Sequence, residues 1–374
     1  MLMGALYQKD RFYSKTCRQR LIPLAMPRRI LYNVPVSWLL KMLYLFRLRC
    51  GRALRKYFHI TTPARPALLL EVQGAPLPFL EGANLPWLCY GGDFGANAWN
   101  PAGGLGKAGK HEELRRHFQE LKGRGIHVLR WFLFCDGRAG IRFSRAGTPI
   151  GPDNCLFADI DAALETAATE GMKVIFVLLD FLWFDKASMV NGVQTGGRSN
   201  TVTGATKQRA LRRRILAPLL ERYGHSPAIL AWDIVNEPEW ATRGWGGGII
   251  GPSVSFLAMR RFIKRTARLV HRHTGHLATV GLGNAAGLPL VRGCGLDFYQ
   301  VHWYDRWESV APLSGPVSEL GLDRPLLLGE FPTRNSTRSP EAIVAASRDS
   351  GYCGAMAWSL LAEDDFSGIK GTKG

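Results

Sequence analysis

The feature that most constrains the fold is a regular alternation of apolar runs and helical patterns after residue 66. Each run is short and rich in aliphatic and aromatic residues, which is typical of strands buried on both faces in a parallel sheet covered by helices. The eight predicted strands span residues 88–94, 128–134, 173–179, 229–235, 277–281, 298–304, 326–331 and 354–360. Eight strands alternating with helices predict an α/β fold of the (β/α)8 TIM-barrel type, and a doubly wound sheet is the less favoured alternative.

Apolar residues at helical spacing predict helices between these strands. Such faces are formed by Leu114, Phe118 and Leu121, by Leu211, Ile215 and Leu219, and by Phe256, Met259, Ile263 and Val270. The end of the chain departs from the pattern, because only fourteen residues, polar and rich in glycine, follow the eighth predicted strand. The eighth helix is therefore predicted to be missing or degenerate. A helix predicted over residues 37–59 is a candidate to cover the barrel there.

The positive charge of the chain is concentrated in an N-terminal extension. The formal net charge is +18, and residues 1–66, with fourteen Lys and Arg and the single acid Asp10, contribute +13 of it. The other 308 residues carry only +5, so the charge predicts no nucleic-acid-binding surface on the body. We divide the chain into a basic arm, residues 1–66, and a catalytic barrel, residues 67–374, and expect a monomer.

The arm contains an amphipathic pattern in which Leu39, Met42, Leu43 and Phe46 share one helical face. Its longest uncharged stretch is eleven residues, 30–40, which is shorter than the roughly 20 that a membrane span needs. The favoured interpretation is a helix packed on the body of the same protein, or an arm with no role. The alternative is a basic amphipathic helix in peripheral contact with an anionic membrane or a partner.

The predictions of location and of metal content both rest on sequence features that are missing, namely a signal peptide and paired cysteines. No signal peptide is readable, so we expect a cytoplasmic or membrane-associated protein. The seven cysteines include no CxxC pair, which indicates neither a disulfide framework nor a zinc site. No cofactor and no metal are predicted.

Two carboxylates lie at strand ends, which are positions that suggest a catalytic role. Glu237 and Glu330 each lie at the end of an apolar strand, the predicted fourth and seventh, and catalytic residues of these barrels sit at the carboxyl ends of strands. Both side chains should therefore point into the same mouth. Two carboxylates across one pocket are the apparatus that cleaves a glycosidic bond, one protonating the leaving oxygen and the other remaining ionised.

At this point the sequence resembles a known group. Residues 230–238 read Leu-Ala-Trp-Asp-Ile-Val-Asn-Glu-Pro, which is similar to the Asn-Glu-Pro signature of the retaining glycoside hydrolases of clan A, most of all family 5. The resemblance extends over about residues 86–361. It implies that Glu237 is the acid/base and Glu330 the nucleophile.

The same resemblance assigns roles to further residues. It implies that Arg130 holds the nucleophile and that Asn236 binds the sugar 2-hydroxyl. It also implies that His302 and Tyr304 form the family's His-x-Tyr pair, in which the tyrosine hydrogen-bonds the nucleophile. Trp358 is implied to be the platform under the reacting sugar. One departure is the end of the third strand, where many family members have a histidine. This chain has Asp180 in that region, which is a candidate replacement.

These residues predict a retaining glycoside hydrolase that cleaves β-linked bonds, endo-acting on a β-glucan or β-mannan. Its partner is an oligo- or polysaccharide. The alternatives are a non-catalytic carbohydrate-binding barrel and a membrane- or partner-associated protein that acts through its basic arm. Six tryptophans at or just past strand ends are candidates for further sugar subsites or for core packing: Trp131, Trp183, Trp240, Trp245, Trp303 and Trp307.

Overall fold

The computed structural model describes residues 36–57, 68–245, 250–306, 313 and 315–369. The chain begins there with helix α1 (Val36–Tyr57) and a hairpin of strands β1 (Glu71–Val72) and β2 (Ala75–Pro76). The later strands are β3 (Leu80–Asn84), β4 (Val128–Phe132), β5 (Ile141–Phe143), β6 (Pro149–Pro152), β7 (Lys173–Leu179), β8 (Ser188–Val190), β9 (Val193–Thr195), β10 (Ile229–Val235), β11 (Leu277–Thr279), β12 (Gly281–Leu282), β13 (Tyr299–His302), β14 (Leu326–Pro332) and β15 (Gly354–Trp358). The later helices are α2 (Lys110–Gly123), α3 (Leu156–Glu170), α4 (Asn200–Thr203), α5 (Ala205–Leu211), α6 (Ala217–Tyr223), α7 (Phe256–His273), α8 (Leu288–Val291) and α9 (Pro340–Asp349).

Nine strand segments form one parallel sheet in the order β11-β10-β7-β4-β3-β15-β14-β13-β12. The two end segments, β11 and β12, belong to one stretch of chain that is interrupted only at Val280, and they pair with β10 and β13 respectively. This stretch closes the sheet, so the predicted (β/α)8 barrel is confirmed. Strands β4, β7, β10 and β14 are buried almost throughout, which explains why their sequences are nearly continuous apolar runs.

The first barrel strand lies at a different place from the one predicted. Residues 88–94 form turns in which the Asp93 carboxylate accepts hydrogen bonds from the backbone N–H groups of Leu88 and Cys89, and the strand is β3 instead. Strand β3 reads Leu-Glu-Gly-Ala-Asn and lacks the expected run of large apolar residues. The reason is steric, because a Cβ at Gly82 would overlap Met356 Sδ and lie 2.7 Å from a backbone oxygen of β4.

Segments outside the barrel strands pack at its two ends, namely the β1–β2 hairpin and the residues that follow β15. At the amino-terminal end, Leu70 beside the hairpin packs in one apolar cluster with Leu80 and Met356. In the described residues up to 369, no helix follows β15, as predicted. The chain instead returns to β14, where the backbone N–H of Thr333 donates to the carbonyl of Phe366 at 3.0 Å.

Helix α1 packs against the barrel, but not in the place of an eighth helix. Lys41 Nζ donates to the backbone oxygen of Trp245 at 2.8 Å, and the Arg292 guanidinium lies 5.4 Å from the centre of the Tyr44 ring. These contacts lie after β10 and after α8, so the hypothesis that this helix fills the gap after β15 is wrong. Among the described residues, no helix combines the length and apolar character needed to cross a membrane.

Candidate active site

The barrel brings the two predicted glutamates together at the carboxyl ends of β10 and β14. Glu237 follows β10 by two residues, and Glu330 lies within β14. Their carboxylate oxygens approach within 4.8 Å of each other. Glu237 has a left-handed backbone with φ of 44°, which is uncommon for a residue with a side chain. Its N–H donates to the carbonyl of Gly281 at 2.7 Å, a bond that holds this conformation at the barrel mouth.

Arg130 is the centre of a buried network beneath this pair. The side chain is fully buried, and Nη1 donates to Glu330 Oε1 at 2.7 Å. Nη2 donates to Asn236 Oδ1 at 2.7 Å, and Nε donates to Asp233 Oδ2 at 2.9 Å. Nη1 also donates to Asn84 Oδ1 at 3.0 Å. A planar guanidinium can serve four acceptors in fixed directions, so Arg130 sets the position of both Glu330 and Asn236.

The two glutamates have different partners. The second oxygen of Glu330 accepts a hydrogen bond from the Tyr304 hydroxyl at 2.9 Å. Glu237 Oε1 lies 2.8 Å from His302 Nδ1, and Trp240 Nε1 donates to Glu237 Oε2 at 2.7 Å. His302 Nδ1 is also 3.4 Å from Glu330 Oε2, so the imidazole stands between the carboxylates.

Burial and local charge act on both carboxyl groups. Burial raises the pKa of Glu330, and this effect prevails over the opposing charges of His302 and Arg130. Burial acts in the same direction on Glu237, but the hydrogen bond and charge of His302 and the bond from Trp240 bring its pKa below the ordinary value. Two carboxylates this close titrate as a coupled pair.

Asn236 is held in one orientation from both sides. Its Oδ1 accepts from Arg130, and its Nδ2 donates to Asp180 Oδ1 at 3.0 Å. One N–H of this amide remains for a ligand. Asp180, the candidate replacement for a histidine at the end of the third strand, is therefore joined to the site through Asn236. Burial raises the pKa of Asp180 from 3.8 to about 7, against the hydrogen bond from Asn236.

Trp358 ends β15 at the same mouth. Its indole Nε1 donates to Asp364 Oδ2 at 2.8 Å, and its half-buried ring packs near Tyr90 and Phe132. The ring centre lies 6.4 Å from that of Trp87, nearly perpendicular to it. The hydrogen bond to Asp364 and the packing against these rings hold the half-buried indole in one orientation at the barrel mouth.

The structure separates the other tryptophans by environment. Trp131, Trp183, Trp245 and Trp303 are buried, so they are core residues rather than sugar subsites. Trp240 contacts Glu237 directly. Trp307 lies outside the described residues.

Asn84 and Asp233 are site residues that sequence reasoning missed. Asn84 ends β3 and, besides accepting from Arg130, donates through Nδ2 to the carbonyl of Gly329 at 3.0 Å. Asp233 accepts from Arg130 and from Gln300 Nε2 at 2.8 Å. For Asp233 the available signal was a polar residue inside an apolar strand, because such a side chain inside a barrel needs a partner. Asn84 gave no such signal, because β3 lacks an apolar run.

The same cluster is the one group among the described residues whose ligand atoms could converge on a cation, namely Glu237, His302 and Glu330. Several of these ligand atoms, however, already have hydrogen-bond partners. Both oxygens of Glu330 accept hydrogen bonds, from Arg130 and from Tyr304, and His302 Nδ1 faces Glu237. The buried Arg130 guanidinium supplies positive charge beside Glu330, so the closeness of the two carboxylates needs no bound cation to explain it.

Comparison with known proteins finds mannan endo-1,4-β-mannosidases among the relatives of this chain. No family model matches it. The mannan endo-1,4-β-mannosidase of Mytilus edulis is 27% identical over 321 residues, which are 75% of this chain and 83% of that protein. The mannan endo-1,4-β-mannosidase of Cryptopygus antarcticus is 22% identical over 358 residues, 82% of this chain and 88% of that protein.

A solved structure agrees with these relatives. The β-mannanase of the blue mussel Mytilus edulis matches with a TM-score of 0.67 at 24% identity, covering 82% of this chain and 95% of that one. This likeness shows a shared fold. Together, the relatives confirm the predicted resemblance to glycoside hydrolases of clan A, most of all family 5.

Proposed function

We propose that this chain, a glycoside hydrolase most like family 5 of clan A, is a retaining endo-β-mannanase that cleaves β-1,4 bonds within mannan chains. The observation that carries the mechanism is the carboxylate pair, whose oxygens approach within 4.8 Å. Retaining enzymes place their carboxyl groups about 5–5.5 Å apart, whereas inverting enzymes need roughly 6.5–9.5 Å to seat a water. The substrate follows from the relatives, two of which are mannan endo-1,4-β-mannosidases.

Glu330 is the nucleophile in this proposal. Arg130 donates to one of its oxygens and Tyr304 to the other, and both bonds favour the ionised carboxylate. Because the Glu330 carboxylate is buried, it is poorly hydrated and less stabilised than one in water, and its pKa is raised. One oxygen attacks the anomeric carbon, and the bond to the leaving sugar oxygen breaks as the glycosyl-enzyme forms.

Glu237 is the general acid and then the general base. Its Oε1 lies 2.8 Å from His302 Nδ1. Burial raises the pKa of Glu237, but the hydrogen bond and charge of His302 outweigh it and bring this pKa below the ordinary value. The acid step uses the protonated form of Glu237, whose carboxyl proton goes to the leaving sugar oxygen.

The arrival of the sugar brings that proton into use. The leaving oxygen takes it from Glu237 as the glycosidic bond breaks. In the second step Glu237 accepts a proton from water, and the water oxygen displaces Glu330 from the anomeric carbon. The cluster then carries the same charge as at the start.

Asn236 and Trp358 bind the reacting sugar. The unused N–H of the Asn236 amide is directed by Arg130 and Asp180, so it is available to the 2-hydroxyl. The 2-hydroxyl is the position at which mannose differs from glucose. The Trp358 ring, tethered through its indole N–H to Asp364, offers an apolar face for the pyranose.

The test is hydrolysis of linear β-1,4-mannan and of mannohexaose, with β-1,4-glucan of similar length as the comparison. We expect mannan to be degraded to mixed oligomers from the start, with the β-anomer appearing first by NMR. Cleavage of glucan alone would refute the substrate, release of single mannose units alone would refute endo action, and initial α-anomer would refute retention.

A further inference from the structure

Helix α1 presents two unlike faces, and the barrel covers the less apolar one. The face against the barrel includes Lys41, Tyr44, Leu45 and Leu48, at the three- and four-residue spacing of one helical side. Leu48 is buried, and Lys41 Nζ donates to the Trp245 carbonyl. These contacts fix the helix on the body and determine which side faces outward.

The outward side carries a stripe of large apolar residues. Leu39, Met42, Leu43 and Phe46 are 47%, 43%, 56% and 67% exposed, and Leu40 beside them is 39% exposed. This stripe is the apolar face that the sequence predicts. The helix packs on the body, as the favoured interpretation expects, but it does so through the opposite side. Contiguous exposed apolar residues of this size typically mark an interaction site.

Basic residues border the stripe on both sides. With 100° between successive helical residues, Arg49 and Arg47 lie roughly 70–90° to either side of the stripe's centre. Both are exposed. The surrounding arm is strongly basic, since residues 1–66 hold fourteen Lys and Arg against one Asp. An apolar stripe between cationic borders complements a partner that has an anionic surface layer and an apolar interior beneath it.

We propose that the outer face of α1 docks this enzyme on an anionic lipid bilayer, with the helix lying in the membrane surface. A 22-residue helix is about 33 Å long, enough to lie along the headgroup region and immerse its stripe. The cationic borders select negatively charged headgroups, and the apolar stripe supplies the insertion. This inference is independent of the proposed function, because none of these side chains belongs to the carboxylate cluster.

The experiment uses the full-length chain and sedimentation with vesicles of phosphatidylcholine alone or with 30% phosphatidylglycerol. The test variant is Leu43→Gln/Phe46→Gln, which removes apolar surface without changing the charge. The matched control is Met189→Gln/Leu257→Gln, because these residues are 65% and 66% exposed and lie elsewhere on the barrel. Thermal unfolding reports on folding in every variant and does not depend on the proposed function, and hydrolysis of soluble mannan is compared alongside it.

We expect the wild type and the control to bind the anionic vesicles and to bind neutral ones much more weakly. The partition coefficient of the test variant should fall about tenfold or more, with hydrolysis unchanged. Equal binding by the test variant and the wild type would overturn the proposal, because the basic arm would then act by charge alone. Binding only after removal of residues 1–35 would also overturn it, by showing that this segment covers the stripe. Lipid-independent dimers that Leu43→Gln/Phe46→Gln abolishes would assign the stripe to a second copy instead.

Discussion

Replacing Asp180 with Asn tests the electrostatics of the group that orients Asn236. The Asp180 carboxyl is 4% exposed and accepts hydrogen bonds from Asn236 Nδ2 at 3.0 Å and from the N–H of Phe181 at 2.7 Å. Burial nevertheless raises its pKa from 3.8 to about 7, with a further contribution from the charge of Glu237. Asparagine keeps the accepting oxygen and the shape but carries no charge.

The sign of the effect on stability follows from this direction. Since the pKa is higher in the folded protein, the stability that Asp180 contributes is complete below pH 3.8 and is lost as the pH rises toward about 7. At 1.36 kcal/mol per unit, the raised pKa costs the wild type about 4 kcal/mol of unfolding free energy at pH 8 and about 2 kcal/mol at pH 5. The Asp180→Asn variant avoids this cost and should be the more stable protein.

Urea unfolding of the variant and the wild type at pH 5 and pH 8 measures the difference. We expect the advantage of Asp180→Asn to grow by about 2–3 kcal/mol between these values. Asp185→Asn, five residues further on at a half-buried position, is the matched control for the loss of one carboxylate, and the growth for Asp180→Asn should exceed the growth for this control. An advantage that is constant or that shrinks as the pH rises would refute the reasoning, because Asp180 would then not be a buried carboxyl that resists ionisation.

Three further predictions concern the nucleophile, the sugar platform and the arm. Tyr304→Phe removes the hydroxyl that donates to Glu330, so kcat for mannan should fall by roughly tenfold to a hundredfold, equivalent to about 1.5–3 kcal/mol for a hydrogen bond to a charged group, while KM changes little. Trp358→Ala should lower kcat/KM by about 1–3 kcal/mol, and an unchanged value in a protein with wild-type Tm would place the sugar platform elsewhere. Deleting residues 1–35 should leave turnover of soluble mannan nearly unchanged. Deleting residues 1–60 also removes α1 and its buried Leu48, so that shorter chain should unfold at a lower temperature, and equal Tm values would contradict the packing of this helix on the barrel.

Most barrel strands could be predicted because a strand that is buried on both faces consists almost entirely of apolar residues. Strand β7, for example, reads Lys-Val-Ile-Phe-Val-Leu-Leu and was predicted with its observed ends. The first strand escaped because the close approach of Met356 and β4 to Gly82 requires a missing side chain, and this lowers the apolar signal. Hydropathy therefore located the strands that carry large buried side chains. It missed β3, where Met356 and β4 lie against the backbone of Gly82.

The arm illustrates a second limit. Periodicity identified the apolar stripe of α1 correctly, but it could not determine which helical side faces the barrel. That choice depends on single tertiary contacts, such as the bond from Lys41 to the Trp245 carbonyl across 204 residues of sequence.

The site was predictable where chemistry and strand position coincide. Glu237 and Glu330 have apolar strands directly before or around them, so their convergence followed from the barrel alone. Asn84 was missed because its strand was misplaced. Asp233 was missed because its role depends on reaching Arg130 and Gln300 inside the barrel, which are contacts that only the closed sheet creates.

The central claim is the division of labour between the two glutamates, and azide rescue tests it most directly. Glu237→Ala should still form the glycosyl-enzyme from an aryl β-mannoside with a good leaving group and then stall, because no base activates water. Added azide needs no base, so it should restore turnover and yield β-mannosyl azide, whereas Glu330→Ala should not give this product. An α-mannosyl azide from Glu237→Ala, or β-azide from the Glu330 variant, would contradict the assignment of Glu330 as nucleophile and Glu237 as acid/base.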